Sequence, residues 1–359
     1  MGSRRTECEI PGLGGRRWPS NDLEFVGLCP LCRSTASQTL YERLEDRNFF
    51  TAPGSWDLHR CTECGLVRLD PRPSRETIAA AYASYYTHSQ ASRPDLFSSR
   101  LRRALTHGYL NARYGYNFSP TFRVGAYLLP IFPGRRRRSV RQIRHLPKPR
   151  RTAHLLDVGC GNGEFLQVMR AGGWLVEGIE SDPRAVEVAR GSGLEVHQGS
   201  FPNPDLESAR FDAVTLNHVL EHLPDPIAAL REAFRILKPG GLLSITTPNL
   251  NSAGHRHFGR HWLHLDPPRH LTIFDSGTLR LALERCCFSS REVAPNPLTR
   301  WTYAASAAIA AGIDPFEPGF PFPRILRVRA RWAGARAVVR RADAEELAVV
   351  ARKPESRSS

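Results

Sequence analysis

The chain has 359 residues and a formal net charge of +15, long enough to bury a full core in one large domain with a smaller one beside it. Of its 50 basic residues only Lys148, Lys238 and Lys353 are lysine, so 47 are arginine; such a skew suits a GC-rich coding sequence and weakens nucleic acid as the automatic partner of the charge. No apolar run reaches the roughly 18–20 residues that span a bilayer, and the opening M-G-S-R-R-T-E-C lacks the apolar stretch of a secretion signal, so the expected location is cytoplasmic.

Residues 1–22, rich in Gly, Arg and Pro, read as a flexible arm. Residues 23–75 follow as a compact module built on two C-x2-C pairs, Cys29/Cys32 and Cys61/Cys64. Each pair is a knuckle that points two thiolates at one ion, and two knuckles complete a tetrahedron, so structural zinc is the expected metal. Four thiolates leave no open position for chemistry. Residues 76–150 form a helical, Arg-rich connector, with a helix over Glu76–Tyr86 carrying Tyr82, Tyr85 and Tyr86. An apolar interlude, Val124–Phe132, and the basic run Arg135–Arg138 follow.

From residue 151 the pattern changes to strands and helices in alternation. In the stretch His154–Gly163 a short apolar run ends in Asp157, and Gly159, Gly161 and Gly163 follow at alternate positions before a helix. Glycine lets the backbone turn tightly and approach a ligand closely. The spacing is not the G-x-G-x-x-G of dinucleotide sites. It suits a ligand with an amino-acid tail and positive charge, faced by Asp157. Trp174–Ile179 is a second strand; Glu180 stands at its end, about twenty residues on, where such a unit grips ribose hydroxyls. Leu194–Gln198 and Phe211–Leu216 are the third and fourth strands. Ile227–Leu237 is a helix, ended by Lys238-Pro239-Gly240-Gly241 ahead of a fifth strand, Leu242–Thr247. Glu346–Ala351 reads as the last strand, leaving about 298–342 as an insertion within a unit of 151–353, with 354–359 as a tail.

The set L-D-V-G-C-G-N-G, G-I-E, E-H-L-P-D-P and L-K-P-G-G resembles class I S-adenosylmethionine-dependent methyltransferases. The resemblance implies an α/β fold: a Rossmann-like seven-stranded sheet with helices on both faces, here joined to the small zinc-binding module. It implies S-adenosylmethionine as cofactor, with Asp157, Gly159, Cys160, Gly161 and Gly163 along its methionine part. Glu180 falls at the ribose, Ser200 and Phe201 at the adenine, and Asn217 beside them. Ser200 departs from the aspartate of many relatives, and Cys160 reads more simply as a small buried residue.

Two clusters carry candidate chemistry. His218, Glu221 and His222 share one face of a helical turn after the fourth strand. The turn resembles the E-x-x-E-H metal site of ubiquinone-biosynthesis O-methyltransferases, except that His218 replaces a carboxylate; metal binding stays open there, behind a polar wall or a base. The second cluster follows the fifth strand: His255, His257, His261, His264, Asp266, Arg269 and His270. Histidine titrates near pH 6.5 and suits proton removal, so His264 and His270 are the first candidates for a general base, with His218 and His222 behind them. The expected reaction is methyl transfer to an oxygen or carbon of a small-molecule, sugar-linked or lipid-linked acceptor. An RNA methyltransferase using the zinc module and basic linker is the alternative. Val124–Phe132 and Trp301–Ile313, too short to cross a bilayer, are candidates for peripheral membrane contact.

Overall fold

Phe211–Asn217 is buried along nearly its whole length, with no alternation of faces. A strand of that kind belongs in the middle of a sheet covered on both sides, and that is its position. A computed structural model describes residues 18–82, 97–149, 151–293, 298–317 and 319–355. Most of the arm expected at 1–22, Tyr85 and Tyr86 of the aromatic patch, and most of the expected tail lie outside the described residues.

In chain order the elements are β1 (Leu23–Glu24), β2 (Ser37–Leu44), β3 (Trp56–Cys61), β4 (Val67–Leu69), β5 (Arg72–Pro73), α1 (Phe97–Tyr114), α2 (Gly125–Ile131), α3 (Pro133–Gln142), β6 (His154–Val158), α4 (Glu164–Ala171), β7 (Leu175–Glu180), α5 (Pro183–Gly191), β8 (Glu195–Gln198) and β9 (Phe211–Asn217). They continue with α6 (Pro226–Ile236), β10 (Leu237–Pro248), α7 (Ala253–Phe258), β11 (Thr272–Ile273), α8 (Ser276–Arg285), β12 (Ser289–Glu292), α9 (Thr299–Ala310), α10 (Arg324–Val339) and β13 (Glu346–Arg352).

The seven-stranded sheet runs β12-β13-β10-β9-β6-β7-β8. Strands β8, β7, β6, β9 and β10 are mutually parallel, and β13 enters antiparallel between β10 and β12. Aspartate caps and a first-turn proline start the helices cleanly: Asp182 ahead of Pro183 in α5, and Asp225 ahead of Pro226 in α6. Lys238-Pro239-Gly240-Gly241 does not separate helix from strand as expected. It bulges out of β10, because the Gly240 amide bonds the Lys353 carbonyl and the Lys353 amide bonds that of Gly241, both at 3.0 Å.

One face of the sheet packs Leu156, Val214 and Leu216 against α6 and α8; Cys29, Leu31, Cys61 and Leu66 join that same core. The connector covers the other face, where Tyr109, Leu110, Leu129 and Ile143 meet Leu155, Leu166 and Trp174. The four-stranded antiparallel sheet β11-β4-β3-β2 takes its fourth strand from residues 272–273, far along the chain. Its apolar side packs Trp56, Leu58 and Leu69 on Trp262, Leu265 and Ile273. The cysteine-bearing segment and the loop after β10 are therefore one packed unit.

Candidate functional site

The parallel strands deliver Asp157, Glu180 and Asn217 to neighbouring positions at their carboxyl ends. Gly159, Gly161 and Gly163 all adopt positive φ (67°, 54° and 81°), a region open mainly to glycine. A Cβ on Gly159 would meet Val219 at 2.6 Å and one on Gly163 would meet Leu194 at 2.3 Å, whereas Gly161 faces open space. Glu180 Oε2 accepts from the Gly161 amide at 2.8 Å, and Oε1 accepts from the Ser181 and Asp182 amides at 2.8 and 3.0 Å. The carboxylate thus ties the glycine turn to the end of β7.

Asp157 is fully buried. Its Oδ1 accepts from Thr215 Oγ1 at 2.6 Å and from Arg144, while Oδ2 has no hydrogen-bond partner among the described residues. The Arg144 guanidinium also lies 3.5 Å from the centre of the Phe165 ring. Cys160 turns its thiol into the core against Gly178 and Leu166, where burial raises its pKa, so only its backbone borders the turn. Phe201 packs into the main core rather than standing free over the crevice. Ser200 Oγ receives a hydrogen bond from Arg75 at 3.1 Å.

All four histidines singled out in the sequence border one cavity of about 510 Å³, with Asn48, Phe49, Asp266, Trp301, Phe316 and Glu346. His218 lies between two carboxylates, with Nδ1 3.2 Å from Glu221 Oε1 and Nε2 3.0 Å from Glu346 Oε1. Burial opposes its charge, but Glu346 and Glu221 outweigh burial and push its pKa up to about 10. Burial likewise works against the Glu221 carboxylate, yet His218 draws it down to about 2. His218 is thus held as an imidazolium at neutral pH, with Nδ1 hydrogen-bonded to Glu221 and Nε2 in an ion pair with Glu346, and has no lone pair to accept a proton.

The other three differ. His222 Nδ1 donates to the Arg269 carbonyl at 3.0 Å, and burial together with nearby His270 pushes its pKa down to about 4. His264, 8% exposed, is driven to about 3 by burial and by His218. His270 Nδ1 donates to the His264 carbonyl at 2.8 Å, which assigns the lone pair to Nε2. Ligand atoms of Glu221, His222 and His270 come within 4.8 Å of one another. His270 rather than His218 completes a trio with the helical turn.

The two knuckles repeat one backbone pattern. The Arg33 amide bonds the Cys29 carbonyl at 2.8 Å and the Gly65 amide bonds the Cys61 carbonyl at 3.0 Å; both residues have positive φ. Their sulfurs converge, with Cys29 to Cys64 at 3.5 Å, Cys32 to Cys61 at 3.4 Å and all four within 4.8 Å. A tetrahedral zinc with Zn–S near 2.3 Å needs sulfurs about 3.8 Å apart, so the set fits that ion.

A family model described as a methyltransferase domain matches residues 133–289. These residues are a class I methyltransferase domain. Over 108 residues, 28% of the chain, it is 42% identical to the ubiquinone biosynthesis O-methyltransferase of Xanthomonas oryzae pv. oryzae (strain PXO99A). Over 111 residues, 29% of the chain, it is 40% identical to the protein of that name from Cereibacter sphaeroides (strain ATCC 17025 / ATH 2.4.3). The chain spans 45% of the length of each of these relatives. Among solved structures, a SAM-dependent methyltransferase from Archaeoglobus fulgidus matches with a TM-score of 0.40 and 19% identity, over 62% of this chain and 94% of that one.

A methyltransferase domain points to S-adenosylmethionine as donor, and the glycine turn suits that molecule. Open space lies above Gly161, whose amide is held by Glu180 at the end of β7. Several cavity residues were not foreseen from the sequence. Asn48 and Phe49 come from the cysteine-bearing segment, Trp301 and Phe316 from the insertion, and Glu346 from β13. None carries a local motif; Asn48 and Phe49 arrive because β11 joins β4, and Glu346 because β13 inserts beside β10. Arg144, expected as part of a basic linker, instead bonds Asp157.

Proposed function

We propose that this chain transfers the methyl group of S-adenosylmethionine to an oxygen of a small acceptor held in the histidine-lined cavity, with His270 taking the acceptor's proton. The observation that carries the reading is the meeting of a methyltransferase crevice with an adjoining cavity that presents a lone-pair imidazole, His270, lying between Asp266 and His222. At about 510 Å³ the cavity is of ordinary small-molecule size.

S-adenosylmethionine supplies a methyl group already activated on a sulfonium. The chain's part is to hold it and to align and deprotonate the acceptor. Asp157, the Gly159–Gly163 turn, Glu180, Ser200 and Asn217 form the holding set. His270 is oriented by its Nδ1 bond to the His264 carbonyl, leaving Nε2 to receive a proton. His218 contributes fixed positive charge beside the reacting groups. Phe49, Trp301 and Phe316 supply an apolar wall: the Phe49 and Phe316 rings stack with centroids 4.9 Å apart. Oxygen is preferred over carbon because the relatives with the same domain are O-methyltransferases by name. The four cysteines hold a structural zinc that braces the module against the main core.

The test is a panel of phenols, catechols and hydroxylated sugars incubated with isotopically labelled donor. Label on an acceptor oxygen, lost in His270→Ala while donor affinity is retained, supports the reading. Donor binding with no transfer to any hydroxyl, or transfer that survives in the variant, overturns it.

A further inference from the structure

Helix α10, within the insertion between β12 and β13, has three faces. Ala330 and Ala333 are buried with Tyr303 and Phe322, which seats the helix on α9. A second face is apolar and exposed: Ile325 is 65% exposed, Val328 52%, Trp332 71% and Val339 84%. With each residue turning the helix by about 100°, these four fall within an arc of roughly 60°. Arg324 and Arg331 flank that arc on one side, and Arg329 and Arg336 flank it on the other. The 16-residue helix holds five arginines and no acidic residue. Arg324, Arg329 and Arg331 are exposed and make no ion pair with a carboxylate among the described residues.

A soluble surface has no use for a narrow row of large apolar side chains on an otherwise well-seated helix. A protein partner would meet the row with an apolar groove; the double border of guanidinium groups matches instead a surface that is apolar within and anionic at its edge. A helix lying in the plane of a bilayer has this cross-section: apolar side chains enter the acyl boundary while long basic side chains reach up to the headgroups. At 24 Å or so, the helix lies along such a surface and does not cross it.

We propose that α10 docks the protein peripherally on an anionic lipid bilayer, with Ile325, Val328, Trp332 and Val339 inserted and Arg324, Arg329 and Arg331 on the headgroups, while Arg336 is held by Asp343. The expected segment Trp301–Ile313 is not this surface, since α9 is largely buried. The docking is independent of the acceptor's chemistry.

The test uses the full chain and vesicles of phosphatidylcholine, with and without about one third phosphatidylglycerol, in a sedimentation assay. The wild type is expected on the anionic vesicles, less so as salt rises. The double substitution Ile325→Ser, Trp332→Ser should weaken binding by about tenfold or more while leaving the thermal midpoint unchanged, because neither side chain is packed. Equal binding by the double variant, or no binding by the wild type at low salt, overturns the proposal. So does a concentration-dependent dimer, abolished by the same substitutions and indifferent to vesicles, which would make the face an interface between copies.

Discussion

Arg269, in the loop after β10, meets Asp46, in the cysteine-bearing segment, with neither side chain reaching solvent. Arg269 Nη1 donates to Asp46 Oδ2 and to the Ala81 carbonyl, each at 3.0 Å, and Nε donates to Asp266 Oδ1 at 3.0 Å. Asp46 in turn accepts the amides of Phe49, Thr51 and Ala52. Burial alone would raise the Asp46 carboxyl, but Arg269 holds it below the usual range. Removing one partner strands a buried charge. Asp46→Ala is therefore expected to cost about 3–5 kcal/mol, read as a lower denaturant midpoint. A double replacement by apolar residues, Asp46→Leu with Arg269→Met, should not recover it, because the amides of Phe49, Thr51 and Ala52, the Ala81 carbonyl and the Asp266 carboxylate would all lose partners. An Asp46→Ala variant as stable as wild type would mean that the pair does not join the two segments energetically.

The cysteines should behave as part of the whole. Cys29 and Cys61 are buried in the core that also holds Leu156 and Leu216 of the central sheet, and β4 bonds to β11. Cys29→Ser is expected to lower the zinc content, measured by elemental analysis, from about one ion per chain. It should also shift a single unfolding transition seen by both far-ultraviolet circular dichroism and intrinsic fluorescence. Two separate transitions would show that the module melts alone.

The central sheet was legible because its signals are local. A buried parallel strand reads as an apolar run, and a glycine turn plus an acid one strand later needs only short spacing rules. The knuckles were legible for the same reason. The cavity was legible by halves: His218, His222, His264 and His270 lie in two motif-bearing stretches, but their division of labour depends on Glu346, whose place beside His218 follows from β13 pairing with β10. Nothing local to residues 48–49 or 301–316 announces that Asn48, Phe49, Trp301 and Phe316 close the same space. Such contacts arise from sheet order, which no short window of sequence contains.

Glu180 is bound to the glycine turn and to the start of α5 by amide hydrogen bonds, so its removal should do more than delete a ribose contact. Glu180→Ala frees the Gly161 amide and should weaken S-adenosylmethionine binding by about tenfold to a hundredfold, the worth of one or two hydrogen bonds to a charged acceptor. Titration calorimetry checks this. Glu180→Gln, which keeps one oxygen, should fall between. Unchanged affinity in the alanine variant would move the ribose elsewhere.

Stability should pass through a maximum with pH, and the two limbs have different owners. His218, raised to about 10 from an ordinary 6.5, binds its proton more tightly folded than unfolded; its contribution is whole below 6.5 and fades as pH climbs through about 10. His222 and His264, lowered to about 4 and 3 from 6.5, are neutral in the fold, so the unfolded chain gains their protons as pH falls below 6.5. Glu221, at about 2 against 4.5, adds a further loss below 4.5. Thermal midpoints are expected to decline on both sides of neutrality. His218→Gln, less stable at neutral pH, should flatten the alkaline limb between about pH 7 and 10 and also soften the acid limb, because His218 is what lowers Glu221 and helps to lower His264. A wild-type midpoint that is flat up to pH 10 would show that His218 is not held between its two carboxylates.

His270 is distinguished from its neighbours by what each imidazole is free to do. His218 is already protonated, and His264, with Nε2 3.3 Å from Thr302 Oγ1, is buried and a very weak base. His222 has a bare Nε2 but is depressed to about 4, so it holds a proton poorly at neutral pH. His270 keeps a lone pair at Nε2, borders the cavity, and lies 3.9 Å from Asp266. His270→Ala should lower kcat by about a hundredfold or more, the usual worth of a general base, with KM for the donor little changed. His222→Ala, by contrast, should act mainly through the position of the His270 ring, since the two ring centroids lie 4.7 Å apart. A His270→Ala variant that keeps its rate would assign the proton to some other group.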